Sequence, residues 1–115
     1  MVYTQTGTPY YASPEVWRDE PYDVKSDIWS LGCVMYECCA LKPPFTAQNM
    51  DQLYQKVQRG KFDPIPRIYS EELGSVIRSL IMTSAKHRPA CQQILSYPII
   101  VKKLKEPKFN ARDDI

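Results

Sequence analysis

The feature that most constrains this fold is an apolar run of thirteen residues from Asp27 to Cys39. Its only acidic members are Asp27 and Glu37, and its length corresponds to about three to four helical turns. The run is too short and too interrupted by charge to span a membrane. A helix that is apolar on most of its faces must be covered on most of them, so the run predicts a central helix inside a folded domain.

The composition is that of an ordinary globular protein. The chain has 115 residues, of which 43% are hydrophobic and 24% charged, with a net charge of +2, which predicts one domain with a modest core. The balanced charge gives no reason to propose nucleic acid or an anionic membrane as a partner. The four cysteines form no C-x-x-C pair, which favours reduced core cysteines over disulfides or metal ligands. No signal peptide opens the sequence, so a cytoplasmic location is expected.

Capping residues and prolines divide the chain into short helices joined by ordered loops. There are no repeats and no alternating strand pattern, so the expected fold class is mainly α. From residue 101 onward the pattern is lost, which predicts a mobile tail. The predicted helix starts are Ser13-Pro14, Ser26 for the central helix, Asn49 and Ser70, and a short helix from Ala90 to Leu95 is broken by Pro98.

Four short motifs follow one another in a fixed order along residues 4–100. The segment from Gly7 to Glu15 (Gly-Thr-Pro-Tyr-Tyr-Ala-Ser-Pro-Glu) resembles the end of a protein kinase activation segment, with Ser-Pro-Glu in place of Ala-Pro-Glu. The segment from Asp27 to Gly32 resembles the start of the central helix of the kinase C-terminal lobe. Pro43-Pro44-Phe45 resembles the segment after that helix, and His87-Arg88-Pro89 resembles the motif before the last helix.

Two further features are most similar to the NIMA-related (Nek) Ser/Thr kinases. They are Tyr10-Tyr11 before the Ser-Pro-Glu triplet and the spacing of lysine and glycine from Lys56 to Lys61. The resemblance implies a partial kinase C-terminal lobe. Residues 1–15 would be the end of the activation segment and the substrate-docking loop, residues 16–100 the helical part of the lobe, and residues 101–115 the tail.

The resemblance implies roles for three threonines in the first segment. Thr8 matches the threonine that contacts the catalytic aspartate and lysine and favours Ser/Thr substrates. Thr4 matches the usual activation-loop phosphosite, and Thr6 is a second candidate. A phosphate there would add about two negative charges and order the loop through arginine contacts. The alternative is that Thr4 and Thr6 are ordinary loop residues.

The resemblance also implies structural roles. Glu15 and Arg88 match a buried ion pair that ties the activation segment to the end of the lobe, and an arginine fork suits such a link. Asp27 matches the aspartate that holds the backbone of the catalytic loop. Val34 and Cys38 match residues that support the internal hydrophobic stacks of kinases. Taken singly, Glu15 and Asp27 are also explained as acids that favour a helix N-terminus.

The elements that carry out phosphoryl transfer are not found in this sequence. Its four glycines allow no G-x-G-x-x-G loop, and there is no V-A-I-K lysine, His-Arg-Asp motif or Asp-Phe-Gly motif. His87-Arg88 is not followed by an aspartate. The resemblance therefore implies a C-terminal portion of a Ser/Thr protein kinase domain. Its parent would bind ATP and Mg²⁺ and transfer the γ-phosphate to protein Ser/Thr, whereas this chain alone is expected to bind no metal or cofactor and to be inactive.

The expected partners are a protein substrate or the missing part of a kinase domain, and the family implies a cytoplasmic, cytoskeletal or centrosomal location. Without that missing part, the central helix is expected to expose apolar surface and to cause poor solubility or self-association. Two alternatives remain open at this point. One is a non-catalytic interaction module that binds kinases or substrates, and the other is an unrelated helical domain.

Overall fold

The computed structural model describes residues 7–106, and this part of the chain contains helices and no strand. The predicted mainly α fold is therefore confirmed. Six α-helices and one 3-10 helix follow one another: α1 (Pro14–Trp17), α2 (Val24–Ala40), α3 (Met50–Arg59), α4 (Glu71–Leu80), the 3-10 helix (Ala85–His87), α5 (Cys91–Leu95) and α6 (Pro98–Leu104).

Three of the predicted helix starts are confirmed by side-chain caps. The side-chain oxygens of Ser13, Asn49 and Ser70 each accept a hydrogen bond from the backbone N–H three residues later, at 3.4, 2.8 and 3.1 Å. These bonds satisfy N–H groups that have no partner inside the helix. Helix α3 ends at Gly60 in the left-handed conformation, with φ of 70°.

The central helix α2 starts earlier than predicted. It runs from Val24 to Ala40 with Asp23 at the N-cap position, so the prediction that Ser26 caps it was wrong. Ser26 lies in the first turn, and its hydroxyl donates to the carboxylate of Glu15 instead. A contact between distant residues thus takes the side chain that looked like a local cap.

The C-terminal end matches the prediction in part. The short helix predicted from Ala90 to Leu95 is confirmed as α5, with Ala90 at the N-cap position, but Pro98 is the first residue of a further helix, α6. Proline is well tolerated there because the first helical N–H needs no intrahelical partner. Residues 101–104 are therefore helical, although they belong to the range predicted as a mobile tail. Residues 107–115 lie outside the described range.

One face of α2 is buried against the rest of the molecule. Trp29 and Cys33 are fully buried, and the Trp29 ring stacks on Phe45 with centroids 5.6 Å apart. Gly32 lies so close to α4 that a Cβ there would be 2.8 Å from the Cβ of Leu80 and 2.7 Å from Cγ1 of Ile81. The main core consists of Ala12, Trp17, Trp29, Cys33, Tyr36, Phe45, Leu53, Val57, Ile77 and Ile81.

The other face of α2 is uncovered in the described part of the chain. Leu31 and Val34 retain 42% and 44% of their accessible surface, and Val24 near the start of the helix retains 70%. Their spacing places them along one side of the helix. We call the residues Val24, Asp27, Leu31, Val34 and Cys38 the open face of α2. No helix within residues 7–106 has the length and apolar character needed to cross a bilayer.

The cysteines only partly match the prediction. All four are free thiols, but only Cys33 is buried. Burial raises the pKa of the Cys33 thiol to about 12. Cys38 and Cys91 are exposed, so the assignment of the cysteines to the core was wrong for these two. Cys39 is half-buried and packs against the main core. The difference for Cys38 arises because α2 has one uncovered side.

Candidate functional site

Glu15 and Arg88 form a bidentate ion pair that joins two distant parts of the chain. Glu15 is the second residue of α1, and Arg88 directly follows the 3-10 helix. The distances are 2.8 Å from Nη1 to Oε2 and 2.9 Å from Nη2 to Oε1. The Arg88 side chain is fully buried, and the Glu15 side chain is 9% exposed. Such a buried fork fixes both the distance and the angle between the two segments.

The remaining donors of Arg88 are also used. Its Nε donates to the carbonyl of Met82 at 2.7 Å, and its two Nη atoms donate to the carbonyls of Lys25 at 2.9 Å and Thr83 at 3.3 Å. The guanidinium lies over the Trp29 ring, 5.1 Å from its centroid. Lys25 in turn donates from Nζ to the backbone carbonyl of Arg88. The charge is therefore compensated by hydrogen bonds as well as by Glu15.

Glu15 is ionised throughout the physiological range. Burial of its carboxyl opposes ionisation, but hydrogen bonds from Arg88 and Ser26 outweigh burial and lower the pKa of Glu15 to about 2. The hydroxyl of Ser26 donates to Oε2 at 2.7 Å. The carboxylate is thus held by groups from α2 and from the segment after α4.

This lowered pKa predicts an acid-sensitive fold. Because the pKa of Glu15 is about 2 in the folded chain and 4.5 in the unfolded chain, its stabilising contribution is present above pH 4.5 and is lost as the pH falls towards 2. We expect the free energy of unfolding to fall by about 2 kcal/mol through this group between pH 6 and pH 3. Urea unfolding at a series of pH values measures it.

The control for this prediction is the exposed Glu72 at the start of α4. The variant Glu15→Gln removes the titrating group. Between pH 6 and pH 3, its free energy of unfolding should therefore fall by about 2 kcal/mol less than that of the wild-type chain. Glu72→Gln should retain the wild-type slope. Equal slopes for Glu15→Gln and the wild type would contradict the role assigned to Glu15.

The loop before α1 is held on α2 by two hydrogen bonds. Ser30 donates to the carbonyl of Tyr11 at 2.8 Å, and the Tyr11 hydroxyl donates to the Glu37 carboxylate. The hydrogen bond to Glu37, together with burial and the negative charge of Glu37, raises the pKa of Tyr11 to about 12. The loop is therefore anchored in the middle as well as at Glu15.

This anchored loop forms one wall of a concave pocket of about 340 Å³. Thr8 and Tyr10 line it from the loop, Val16 and Tyr22 from α1 and the segment after it, and Ser30 from α2. We call it the docking pocket. Its size corresponds to one side chain or a short stretch of extended peptide.

The structure brings some of the residues predicted from the sequence together and leaves others apart. Thr8 lines the docking pocket, seven residues before Glu15, and is not part of the Glu15–Arg88 pair. Asp27, Val34 and Cys38 lie on the open face of α2, and the Asp27 side chain makes no hydrogen bond to another residue within 7–106. Their roles towards a catalytic loop stay predictions. Thr4 and Thr6 lie outside the described residues.

Sequence reasoning missed the second set of contacts around the pair. Lys25 and Ser26 were not assigned to it, and the bond between Tyr11 and Glu37 was not foreseen. The last two residues are 26 positions apart, and neither belongs to a local pattern that would signal the contact. The only available signal for Glu37 was that it is an acid inside an otherwise apolar run.

The described side chains form no cluster of metal ligands. Across residues 7–106 there is no group of three or more His, Cys, Asp or Glu side chains placed to hold a metal ion. Kinases bind Mg²⁺ through carboxylate and amide oxygens of motifs that this sequence does not contain. No step through ATP or Mg²⁺ is therefore assigned to these residues.

Comparison with known proteins shows that the chain is similar to protein kinases. The family model described as "protein kinase domain" matches residues 2–100. The G2-specific protein kinase nimA of Emericella nidulans is 44% identical over 107 residues, which cover 93% of this chain and 15% of that protein. The Ser/Thr-protein kinase Nek2 of Homo sapiens is 50% identical over 97 residues, which cover 84% of this chain and 22% of that protein.

A third relative, the probable Ser/Thr-protein kinase nek2 of Dictyostelium discoideum, is 46% identical over 108 residues. The aligned residues cover 94% of this chain and 26% of that protein. The chain thus spans about a quarter or less of the length of these relatives, as expected for a match to part of a kinase domain.

Proposed function

Because the chain belongs to the protein kinase domain family, we propose that it is the C-terminal portion of a NIMA-related Ser/Thr kinase domain. The parent would transfer the γ-phosphate of ATP, with Mg²⁺, to Ser or Thr of a protein substrate. This portion supplies the substrate side of that reaction. Its residues bind and orient the substrate, whereas nucleotide and metal are held elsewhere in the parent.

The observation that carries this proposal is the anchored loop at the docking pocket. Tyr11 is hydrogen-bonded to α2, and Glu15 is paired with Arg88. The segment between Tyr11 and Glu15 is therefore fixed at both of its ends. A loop fixed in this way presents the pocket in one conformation and lowers the entropy lost when a peptide binds. Thr8, which lines the pocket, is proposed to contact the catalytic aspartate and lysine of the parent and to favour Ser/Thr substrates.

The open face of α2 is proposed to be the contact with the rest of the kinase domain. It combines apolar side chains, Leu31 and Val34, with the carboxyl side chain of Asp27. A packed partner segment would bury the first two and donate hydrogen bonds to the third. Alone, the chain is proposed to transfer no phosphate and to self-associate through this face.

A chimera tests the proposal. In the 50% identical Nek2 kinase, the aligned 97 residues are replaced with those of this chain, and phosphate transfer to a Ser/Thr peptide is measured. The isolated chain should be inactive, and the chimera should be active. Thr8→Ala in the chimera should reduce kcat/KM by about tenfold, which is the contribution of roughly one hydrogen bond in the transition state.

The matched control in the chimera is Thr46→Ala, an exposed threonine outside the docking pocket. It should leave kcat/KM within about twofold. A folded chimera without activity would contradict the proposal, as would phosphate transfer by the isolated chain. Thr4 and Thr6 are proposed as phosphosites, and mass spectrometry of the active chimera tests this. The protein is proposed to be cytoplasmic, and imaging of the tagged protein tests its location.

A second candidate function is a non-catalytic module that binds kinases or their substrates. It would use the docking pocket, whose lining combines the side chains of Thr8, Tyr10 and Tyr22 and includes no acidic side chain that could hold a metal ion. Binding of peptides to the pocket in the absence of ATP, by a native product with an intact mass of 13.3 kDa, would favour this alternative.

A further inference from the structure

A second concave surface lies where helices α2 and α3 end, and it shares no lining residue with the docking pocket. Its volume is about 310 Å³. Four cationic side chains line it, together with a single carboxylate. We call the surface formed by Lys42, Lys56, Arg59, Lys61 and Asp63 the basic pocket.

The net positive charge of this pocket is larger than the net charge of the whole chain. It carries three net positive charges, whereas all 115 residues together carry +2. Within residues 7–106, Lys42, Arg59 and Lys61 form no ion pair, and Asp63 neutralises none of them at pairing distance. Only Lys56 is engaged, since its Nζ donates to the carbonyl of Thr46 at 2.6 Å.

Stabilisation of helices explains only part of this cluster. Lys56 and Arg59 lie in the last turn of α3, where a cation interacts favourably with the helix dipole. Lys42 and Lys61 lie beyond the helix ends, in the loops on either side of the pocket. Four cations placed around one concavity repel one another, so their arrangement favours an anionic ligand.

The floor of the basic pocket is apolar and rigid. Phe62 is half-buried and packs edge-on against Tyr36 and Phe45, with ring centroids 5.4 and 5.7 Å apart. Pro43 and Pro44 form part of the wall, and proline fixes its own backbone angle φ. The pocket therefore offers a preformed apolar surface inside a cationic rim.

We propose that the basic pocket binds an acidic segment of a partner protein, in which one apolar side chain is flanked by aspartate or glutamate. The apolar side chain would lie on Phe62 and the prolines, and the carboxylates would pair with Lys42, Arg59 and Lys61. A flat bilayer does not fit a concavity of this size, and the apolar lining beside the cations, Phe62 and the prolines, favours a peptide over a nucleic-acid backbone. This inference does not depend on the proposed catalytic role.

Fluorescence anisotropy with the 115-residue chain tests the proposal. The probe is a fluorescein-labelled heptapeptide with one phenylalanine between two pairs of glutamates and a glycine at each end. The double variant Arg59→Glu/Lys61→Glu should weaken binding at least tenfold. The matched control, Lys86→Glu/Lys102→Glu, makes the same charge change at exposed sites outside the pocket and should weaken it less than twofold.

A charge-swapped probe separates recognition from damage to the fold. The Arg59→Glu/Lys61→Glu variant should bind the same peptide with lysines in place of glutamates more tightly than the wild-type chain does. A glutamine peptide should bind at least tenfold more weakly to the wild type. The proposal is overturned if the glutamate peptide does not bind, if both double variants weaken binding equally, or if phosphatidylserine vesicles or single-stranded DNA bind as tightly with the same dependence on Arg59 and Lys61.

Discussion

Replacing Arg88 with alanine is expected to destabilise the fold by about 3–5 kcal/mol. The substitution leaves the carboxylate of Glu15 buried with only the Ser26 hydroxyl as a side-chain partner, and it frees the carbonyls that Arg88 now binds. The total stability of a small domain is about 5–15 kcal/mol, so this loss removes a large part of it. Urea unfolding followed by circular dichroism measures the change.

Two further variants show whether the unpaired buried charge of Glu15 causes the loss of stability in Arg88→Ala. The double variant Glu15→Gln/Arg88→Ala has no unpaired charge and should be more stable than Arg88→Ala alone. Arg18→Ala breaks the exposed pair with Glu20, whose atoms are 2.8 Å apart, and should cost less than about 1 kcal/mol. If Arg88→Ala and Arg18→Ala had similar effects, the pair would not be a structural link.

The second large effect is expected at Gly32 in the centre of α2. Valine at this position should destabilise the fold by about 3 kcal/mol, because even a Cβ would lie 2.8 Å from the Cβ of Leu80. That atom is attached directly to the backbone of α4, so the two helices would have to separate. The midpoint of urea unfolding is the measurement.

Leu31→Val is the matched control for Gly32→Val. It introduces the same β-branched side chain one residue earlier in the same helix, but on the open face, where Leu31 is 42% exposed. Its cost should be below about 1 kcal/mol. Equal stability of the two variants would show that the contact between α2 and α4 tolerates a larger residue than its geometry indicates.

Features encoded by neighbouring residues were predictable from the sequence. The caps at Ser13, Asn49 and Ser70 were predicted because the capping side chain and the N–H it binds are three residues apart. Features that depend on distant residues were not predictable in this way. Ser26 has the sequence context of a cap, but the position of Glu15 determines what its hydroxyl binds.

The contacts of the candidate site also depend on residues that are distant in the sequence. Glu15 and Arg88 were paired only through the resemblance to kinases, because nothing in their local sequence links residues 73 positions apart. The bond between Tyr11 and Glu37 was missed for the same reason. The basic pocket was also missed, since its lysines come from two loops and a helix end, and the balanced net charge of the chain concealed the local excess.

The separation of Glu15 and Arg88 along the chain also has a consequence for biosynthesis. The loop before α1 and Glu15 are synthesised before Arg88, which follows Glu15 by 73 positions. At a translation rate of about 5–20 residues per second, the ribosome needs several seconds to add those residues. During that interval the loop has no Arg88 to bind, and any premature stop before residue 88 yields a chain in which the loop cannot be completed.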